Sequence, residues 1–272
     1  MSKTILITGS STGIGRATAL YFQKRGWNVA ATMRTPSKET ELPRLANVIC
    51  PALDVTSEES IQAAMTATIE RFGKIDVLVN NAGYGLTGPF EGTTEEQIKK
   101  QFETNVFGLM RVTRLILPHF REQRSGTIIN ISSMGGRLVF PYYSLYHGTK
   151  WAVEGFTESL RFELEPLGIR LKIIEPGAIK TDFYERSRDS SLLSAPREYH
   201  ELAQIGFKNM DQIGEEGAQP EAVAAMVYKA ANDSSLKIRY PIGKGAGALL
   251  LLRRFLPDGV FAKIVKQTVF KA

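Results

Sequence analysis

The chain opens on a strand-like run, TILIT, that passes without a linker into TGSSTGIG, residues 8–15, and then into the helical pattern IGRATALYFQKRG, which Gly26 ends. No other stretch restricts the fold as much. A strand that ends in closely spaced glycines and continues as a helix must reverse its backbone within a few residues. In that setting Gly9 permits the tight turn, Gly13 lets the backbone approach a pyrophosphate, and Gly15 lets the helix pack close. The helix N-terminus then aims free N–H groups and the positive end of its dipole at the phosphates. Ser10, Ser11 and Thr12 carry hydroxyls that can add contacts, and Ile14 completes the candidate cofactor-binding set of this turn. The spacing is G-x-x-x-G-x-G rather than G-x-G-x-x-G. A flexible loop would also use Gly and Ser, so the position directly after the first strand carries the nucleotide reading.

The alternation continues. WNVAATM, NVICPALDV, IDVLVNN, TIINIS and RLKIIEP read as five further apolar strands, IRYPIG as a short seventh, and TSEES opens a helix with a capping residue and early acids. Strands this apolar need cover on both faces. The expected class is α/β: a doubly wound Rossmann fold of about seven mostly parallel strands with helices on both faces. With no repeat and no linker, residues 1–272 read as one domain. Within it, 178–220 has no strand character and is rich in Ser, Glu, Gln and Gly, so it is expected to serve as a substrate loop region or else to be disordered. Residues 244–272 form a basic, hydrophobic C-terminal extension.

Composition narrows the class further. The single Cys50 rules out an intrachain disulfide, lies in an apolar run and suits a reducing, cytoplasmic compartment. His119, His147 and His200 lack metal-ligand spacing, so no metal site is expected. No apolar run approaches the ~20 residues of a membrane span. The net charge is +6, but Lys244, Arg253, Arg254, Lys263, Lys266 and Lys271 against Asp258 alone put +5 of it in the C-terminal extension. That leaves no body-wide basic patch for nucleic acid.

The second strand ends in Met33-Arg34, where an NAD site would place an Asp or Glu on the adenine ribose. An arginine there would pair with a 2′-phosphate, so the cofactor reads as NADP(H) rather than NAD(H), the alternative being a merely solvated Arg34. Asp54, at the end of the third strand with Val55 after it, can accept a hydrogen bond from an adenine amino group or cap the next helix. In YHGTK, Tyr146 and Lys150 are four apart and share a helix face. A lysine beside a phenol lowers its pKa from about 10 toward values useful for proton transfer.

Taken in order, TGSSTGIG, NNAG at 80–83, Asn105 in a following helix, Ser133 at the end of NISS, Tyr146 with Lys150, and Pro176–Gly177 resemble the short-chain dehydrogenase/reductase family over residues 3–182. The separation of 13 positions between Ser133 and Tyr146 matches the family and selects Ser133 over Ser132. The resemblance implies an enzyme of the carbonyl reductase or alcohol dehydrogenase type. Tyr146 would be the general acid in reduction and the base in oxidation. Lys150 would tune it and hydrogen-bond the nicotinamide ribose, Ser133 would steady the substrate oxygen, and Asn105 would hold a water linking Lys150 to solvent. Asn81, Ala82 and Gly83 would line the cofactor crevice, Pro176, Gly177 and Ile179 would run past the nicotinamide, and Thr181 would contact the carboxamide or phosphates. The chemistry agrees, since hydride addition leaves negative charge on oxygen that needs a matched donor and a fixed hydrogen-bond partner. Gly148, between the two, is expected to keep that helix face clear for cofactor. The family also implies a homodimer or homotetramer built through the helices that carry Asn105 and Tyr146. The alternative is a dinucleotide-binding redox sensor without turnover, which would not need the proton-transfer set.

The substrate lies outside these motifs. Met134, Leu138, Phe140, Tyr142 and Tyr143, with Phe183, Tyr184, Tyr199, Phe207 and Met210, suggest a lining for a bulky hydrophobic carbonyl or alcohol, although aromatics also simply fill cores. VAATMR and the extended tail resemble the 17β-hydroxysteroid and retinol dehydrogenase subgroup. The tail has two short apolar segments broken at Pro257-Asp258-Gly259, the second with Ile264, Val265, Thr268 and Val269 roughly on one side. Packing over the substrate site or burial at an interface is preferred to lying on an anionic membrane.

Overall fold

The computed structural model describes residues 2–180 and 188–271. The expectations placed on Thr181, Phe183 and Tyr184 lie outside the described residues. The strands are β1 (Thr4–Ile7), β2 (Asn28–Ala31), β3 (Val48–Ile49), β4 (Val77–Asn80), β5 (Gly85–Thr87), β6 (Gly126–Ile131), β7 (Ile169–Pro176), β8 (Arg188–Ser190) and β9 (Arg239–Ile242). Seven of them form one sheet in the order β3-β2-β1-β4-β6-β7-β9 with every pairing parallel; β5 and β8 make a separate parallel pair. The chain runs outward from β1 to β3 and then crosses back to β4 on the other side of β1. The loops that follow β1 and β4 therefore diverge and leave a crevice at the carboxyl ends of the strands.

The helices are α1 (Gly13–Gln23), α2 (Glu58–Phe72), α3 (Glu95–Phe102), α4 (Leu109–Gln123), α5 (Ser144–Leu164), α6 (His200–Glu215), α7 (Pro220–Asn232), α8 (Ala246–Phe255) and α9 (Asp258–Val269). Side-chain alternation along the strands sorts the core into two layers. Ile5, Ile7, Val77, Val79, Ile129 and Ile131 face Ala19 and Phe22 of α1 and Val223 and Val227 of α7. Leu6, Leu78 and Ile128 face Ile61 and Met65 of α2, Val112 and Ile116 of α4, and Leu164 of α5. The doubly wound Rossmann architecture expected from the sequence is the one observed.

Three segments differ from their sequence reading. The long third strand shrinks to two residues plus one isolated bridge, Met33 to Ala52. Pro51 stands between them and has no N–H to continue the ladder. Within 178–220, the 16-residue α6 occupies much of what read as loop. Its buried positions, Ala203, Gly206, Met210 and Gly214, are mostly small, so they give little apolar periodicity. The C-terminal segment folds into α8 and α9, whose inward residues Leu250, Phe261, Val265 and Val269 join Leu138, Tyr143 and Met210 in a third cluster. The buried stripe of α9 is Phe261-Val265-Val269 at four-residue spacing; Thr268, expected on that side, stands at its edge and is exposed.

Candidate active site

The glycine turn is fixed from beneath by the strand-end turn after β4. Asn81 Nδ2 donates to the carbonyls of Thr8 and Gly9, each at 2.9 Å, and Thr8 Oγ1 accepts from the amides of Asn81 and Ala82, each at 3.0 Å. Gly9 has φ +70°, and a Cβ there would lie 2.9 Å from Ala82 Cα. Gly13 has φ +54° and Gly15 is buried against Gly9 and Asn81. These glycines let two turns touch, and α1 then begins at Gly13 with no acidic residue in its first turn. That leaves its opening N–H groups facing the crevice in an environment that favours an anion. Ser10 turns inward and donates to Ile7 O at 3.1 Å, so its hydroxyl is not offered to a ligand; Ser11 is exposed and Thr12 half-buried.

A cavity of about 340 Å³ runs from this turn across the carboxyl ends of β6 and β7. Thr12, Gly13, Ile14, Asn81, Gly83, Ser133, Tyr146, Lys150, Pro176, Gly177 and Ile179 all line it. Gly9, Ala82, Asn105, Arg34, Asp54 and Val55 do not. Arg34 follows β2 and is exposed. Asp54 Oδ1 is taken by the amide and hydroxyl of Thr56 at 2.9 and 2.7 Å, a turn that leads into α2. Burial raises its pKa, but those bonds and the charges of Arg34 and Arg111 outweigh it and hold the carboxyl below its ordinary range. Val55 is buried and its carbonyl accepts from Arg111 at 2.9 Å.

Helix α5 carries Tyr146 and Lys150 on one face, with Lys150 Nζ 5.7 Å from the centroid of the Tyr146 ring. Nζ donates to Ile131 O at 2.9 Å, which draws the ammonium back against the end of β6. Burial pulls the Lys150 pKa down to about 8, and the charge of Glu154 one turn along offsets part of that. At neutral pH the group is still largely cationic, which is the form that favours a phenolate beside it. Ser133 Oγ accepts from Gly135 N at 3.0 Å and makes a long contact, 3.5 Å, to Pro176 O. So loose a second bond leaves its proton available to another acceptor.

Asn105 sits in a π-helical turn, Glu103–Gly108, and is buried. Its Nδ2 donates to Tyr84 O at 2.8 Å and to Thr149 Oγ1 at 3.2 Å, and its Oδ1 accepts from Tyr84 N at 3.1 Å. Both amide donors are used, so a water held here would sit on an acceptor, the remaining Oδ1 lone pair or the main-chain carbonyl. Thr149 Oγ1 in turn donates to Tyr146 O at 2.7 Å, tying Asn105 to the first turns of α5. Gly148 does not clear the cofactor face. It is exposed, and a Cβ there would meet only Phe102 Cζ at 3.6 Å. Two residues from Tyr146 is about 200° around the helix, so it faces away from the cavity.

At the other end the cavity is apolar. Met134, Phe140, Tyr143 and Met210 line it as the sequence suggested, while Leu138 and Phe207 pack in the cluster behind. Tyr142 and Tyr199 do not line it; Tyr142 packs on Phe207 and Phe270, and Tyr199 donates to Glu91 at 2.9 Å. Several lining residues were not singled out in the sequence: Tyr84, His147, Ile213, Lys244 and Leu249; Thr268, on the tail helix expected to pack over the substrate site, lines it too. His147 carried a signal, since it adjoins Tyr146. It is buried, stacks on Tyr143 with centroids 5.7 Å apart, and burial pulls its imidazole down to about 4, so it is neutral.

Residues 3–191 match the family described as short chain dehydrogenase. An uncharacterized oxidoreductase of Bacillus subtilis is 39% identical, covering 98% of this chain and 99% of that protein. A 3-ketodihydrosphingosine reductase of Bacteroides thetaiotaomicron is 34% identical over 94% of each chain. Among solved structures, ElxO with NADP bound is 31% identical with a TM-score of 0.74, covering 91% of this chain and 100% of that one.

Proposed function

Because the chain belongs to the short-chain dehydrogenase/reductase family, we propose that it is an NADP(H)-dependent oxidoreductase. On this reading it interconverts the carbonyl and the secondary alcohol of a bulky hydrophobic substrate. The observation that carries it is one cavity: Ser133, Tyr146 and Lys150 meet there, between the glycine turn at one end and Met134, Phe140, Tyr143 and Met210 at the other. Nicotinamide, when bound, supplies or accepts the hydride. In reduction Tyr146 gives its phenolic proton to the substrate oxygen, and the cation at Lys150 stabilises the phenolate that remains. Ser133 turns its proton from Pro176 O to the same oxygen and holds the charge that develops there. Oxidation reverses each transfer. The NADP preference rests on Arg34, a cation where an NAD site carries an acid, and on the NADP-bound relative. The apolar half of the cavity and the likeness to a 3-ketodihydrosphingosine reductase support the substrate class. Phe107 in the π-turn and Trp151 and Phe162 on α5, each half or more exposed, are the surface through which the chain would form a homodimer or homotetramer.

The test is consumption of NADPH and NADH, followed separately against long-chain ketones, steroids, aldehydes and sugars. Tyr146→Phe is the control. Turnover of apolar carbonyls with NADPH, reduced by on the order of a hundredfold or more in Tyr146→Phe while NADPH still binds, is the expected result. Binding without turnover of any carbonyl would instead favour the sensor alternative.

A further inference from the structure

Helices α8 and α9 present two unlike faces. The inner one closes the cavity: Leu249 lines it, Ala246 and Leu250 are buried, and Thr268 and Lys244 reach its wall. The outer face of α8 carries Ala248, Leu251, Leu252 and Phe255, spaced as one stripe along the helix. Leu251 is 60%, Leu252 46% and Phe255 73% exposed, and Val260 at the start of α9 is 47% exposed. Four large apolar side chains bare to solvent within ten residues are unusual for a surface with no occupant.

Basic residues surround the stripe. Arg254, Lys263 and Lys266 are exposed beside it, and Lys244 precedes α8. The single acid of the segment, Asp258, is taken by Arg253 at 2.7 Å, an arginine that also lies over the Phe261 ring. Among the described residues no carboxylate pairs with Arg254, Lys263 or Lys266. A second copy of this chain would bring the same cationic surface against itself, which opposes self-pairing through this face. The complementary surface is a plane with an apolar interior and anionic headgroups. There the lysine and arginine stems stay apolar while their charges reach the headgroups.

We propose that the outer faces of α8 and α9 dock this protein on an anionic lipid surface, with Leu251, Leu252, Phe255 and Val260 inserted and Arg254, Lys263 and Lys266 on the headgroups. No helix among the described residues is long and apolar enough to cross a membrane, so the attachment is peripheral. The same two helices wall the cavity, so docking brings the cavity next to a reservoir of apolar compounds.

The test is sedimentation of the full chain with phosphatidylcholine vesicles, with and without phosphatidylglycerol. Binding to the mixed vesicles that weakens with salt, and little binding to phosphatidylcholine alone, is expected. Leu251→Gln/Leu252→Gln/Phe255→Gln and Arg254→Glu/Lys263→Glu/Lys266→Glu should each lower vesicle affinity by on the order of tenfold or more with the melting temperature unchanged. No binding to either vesicle would overturn the proposal, as would equal binding to both. So would loss of oligomer in the apolar triple variant, which would make the stripe a protein interface.

Discussion

Beneath the cavity lies a buried charge cluster whose pH response can be worked out. Glu154, one turn beyond Lys150 on α5, is 4% exposed, and Glu175 on β7 is fully buried. Both approach the same nitrogen: Arg239 Nε is 3.0 Å from Glu154 and 3.6 Å from Glu175. Arg239 also holds Glu158 at 2.9 Å, and Arg137 is 3.3 Å from Glu175. Burial first, and then the charge of Glu175, push the Glu154 carboxyl up to about 7 against the pull of Ser132 and Arg239. Burial raises Glu175 as well, against Arg137 and Arg239. A folded-state pKa raised above the ordinary 4.5 means that the native state holds the proton more tightly than the unfolded chain. Stability from this source is therefore complete below about pH 4.5 and is lost as pH rises through about 7. The gap corresponds to roughly 3 kcal/mol for Glu154, or about 6 °C in melting temperature for a chain of this size.

Glu154→Gln keeps the shape and cannot ionise. Titrations shared by both proteins, such as that of His147, largely cancel in the difference between them. Melting followed by circular dichroism from pH 5 to 8.5 should show the variant gaining on the wild type by about 4–5 °C across the range, since part of the loss already lies below pH 5. A constant difference would mean that Glu154 is not protonated in the native state. A wild type that gains on the variant as pH rises would mean that attraction to Arg239 exceeds the desolvation of the carboxylate.

Two further outcomes test the cofactor end. Arg34→Glu should lower kcat/KM for NADPH by on the order of a hundredfold and leave NADH less affected, as read from initial rates; no change in the ratio would remove Arg34 from phosphate recognition. Gly15→Ala should abolish dinucleotide binding and destabilise the fold by about 2 kcal/mol or more, because its Cβ would collide with the Gly9 carbonyl and lie 2.5 Å from Asn81 Nδ2. Gly148→Ala, at an exposed helical position with room, should instead raise stability by about 0.5–1 kcal/mol in denaturant melts.

By itself the sequence determined the sheet and the stretch of chain that holds the chemistry. The strand–turn–helix at TGSSTGIG, the apolar strands and the Tyr146–Lys150 pair are local patterns, each set within a turn or two of backbone, so they read directly. Tertiary structure decided the rest. Asn105 reads as a helix residue, but only the fold shows its amide donors engaged by Tyr84 and Thr149. Nothing near Glu154 in the sequence announces Glu175 or Arg239, which reach it from β7 and β9. The apolar residues of the last 29 positions allowed several arrangements. Burial against α6 and the loop before α5 fixed which face turns inward and which stays bare. Propensity and periodicity act between near neighbours, whereas burial, charge partners and cavity walls are set by segments far apart in the chain that meet only when the sheet has formed.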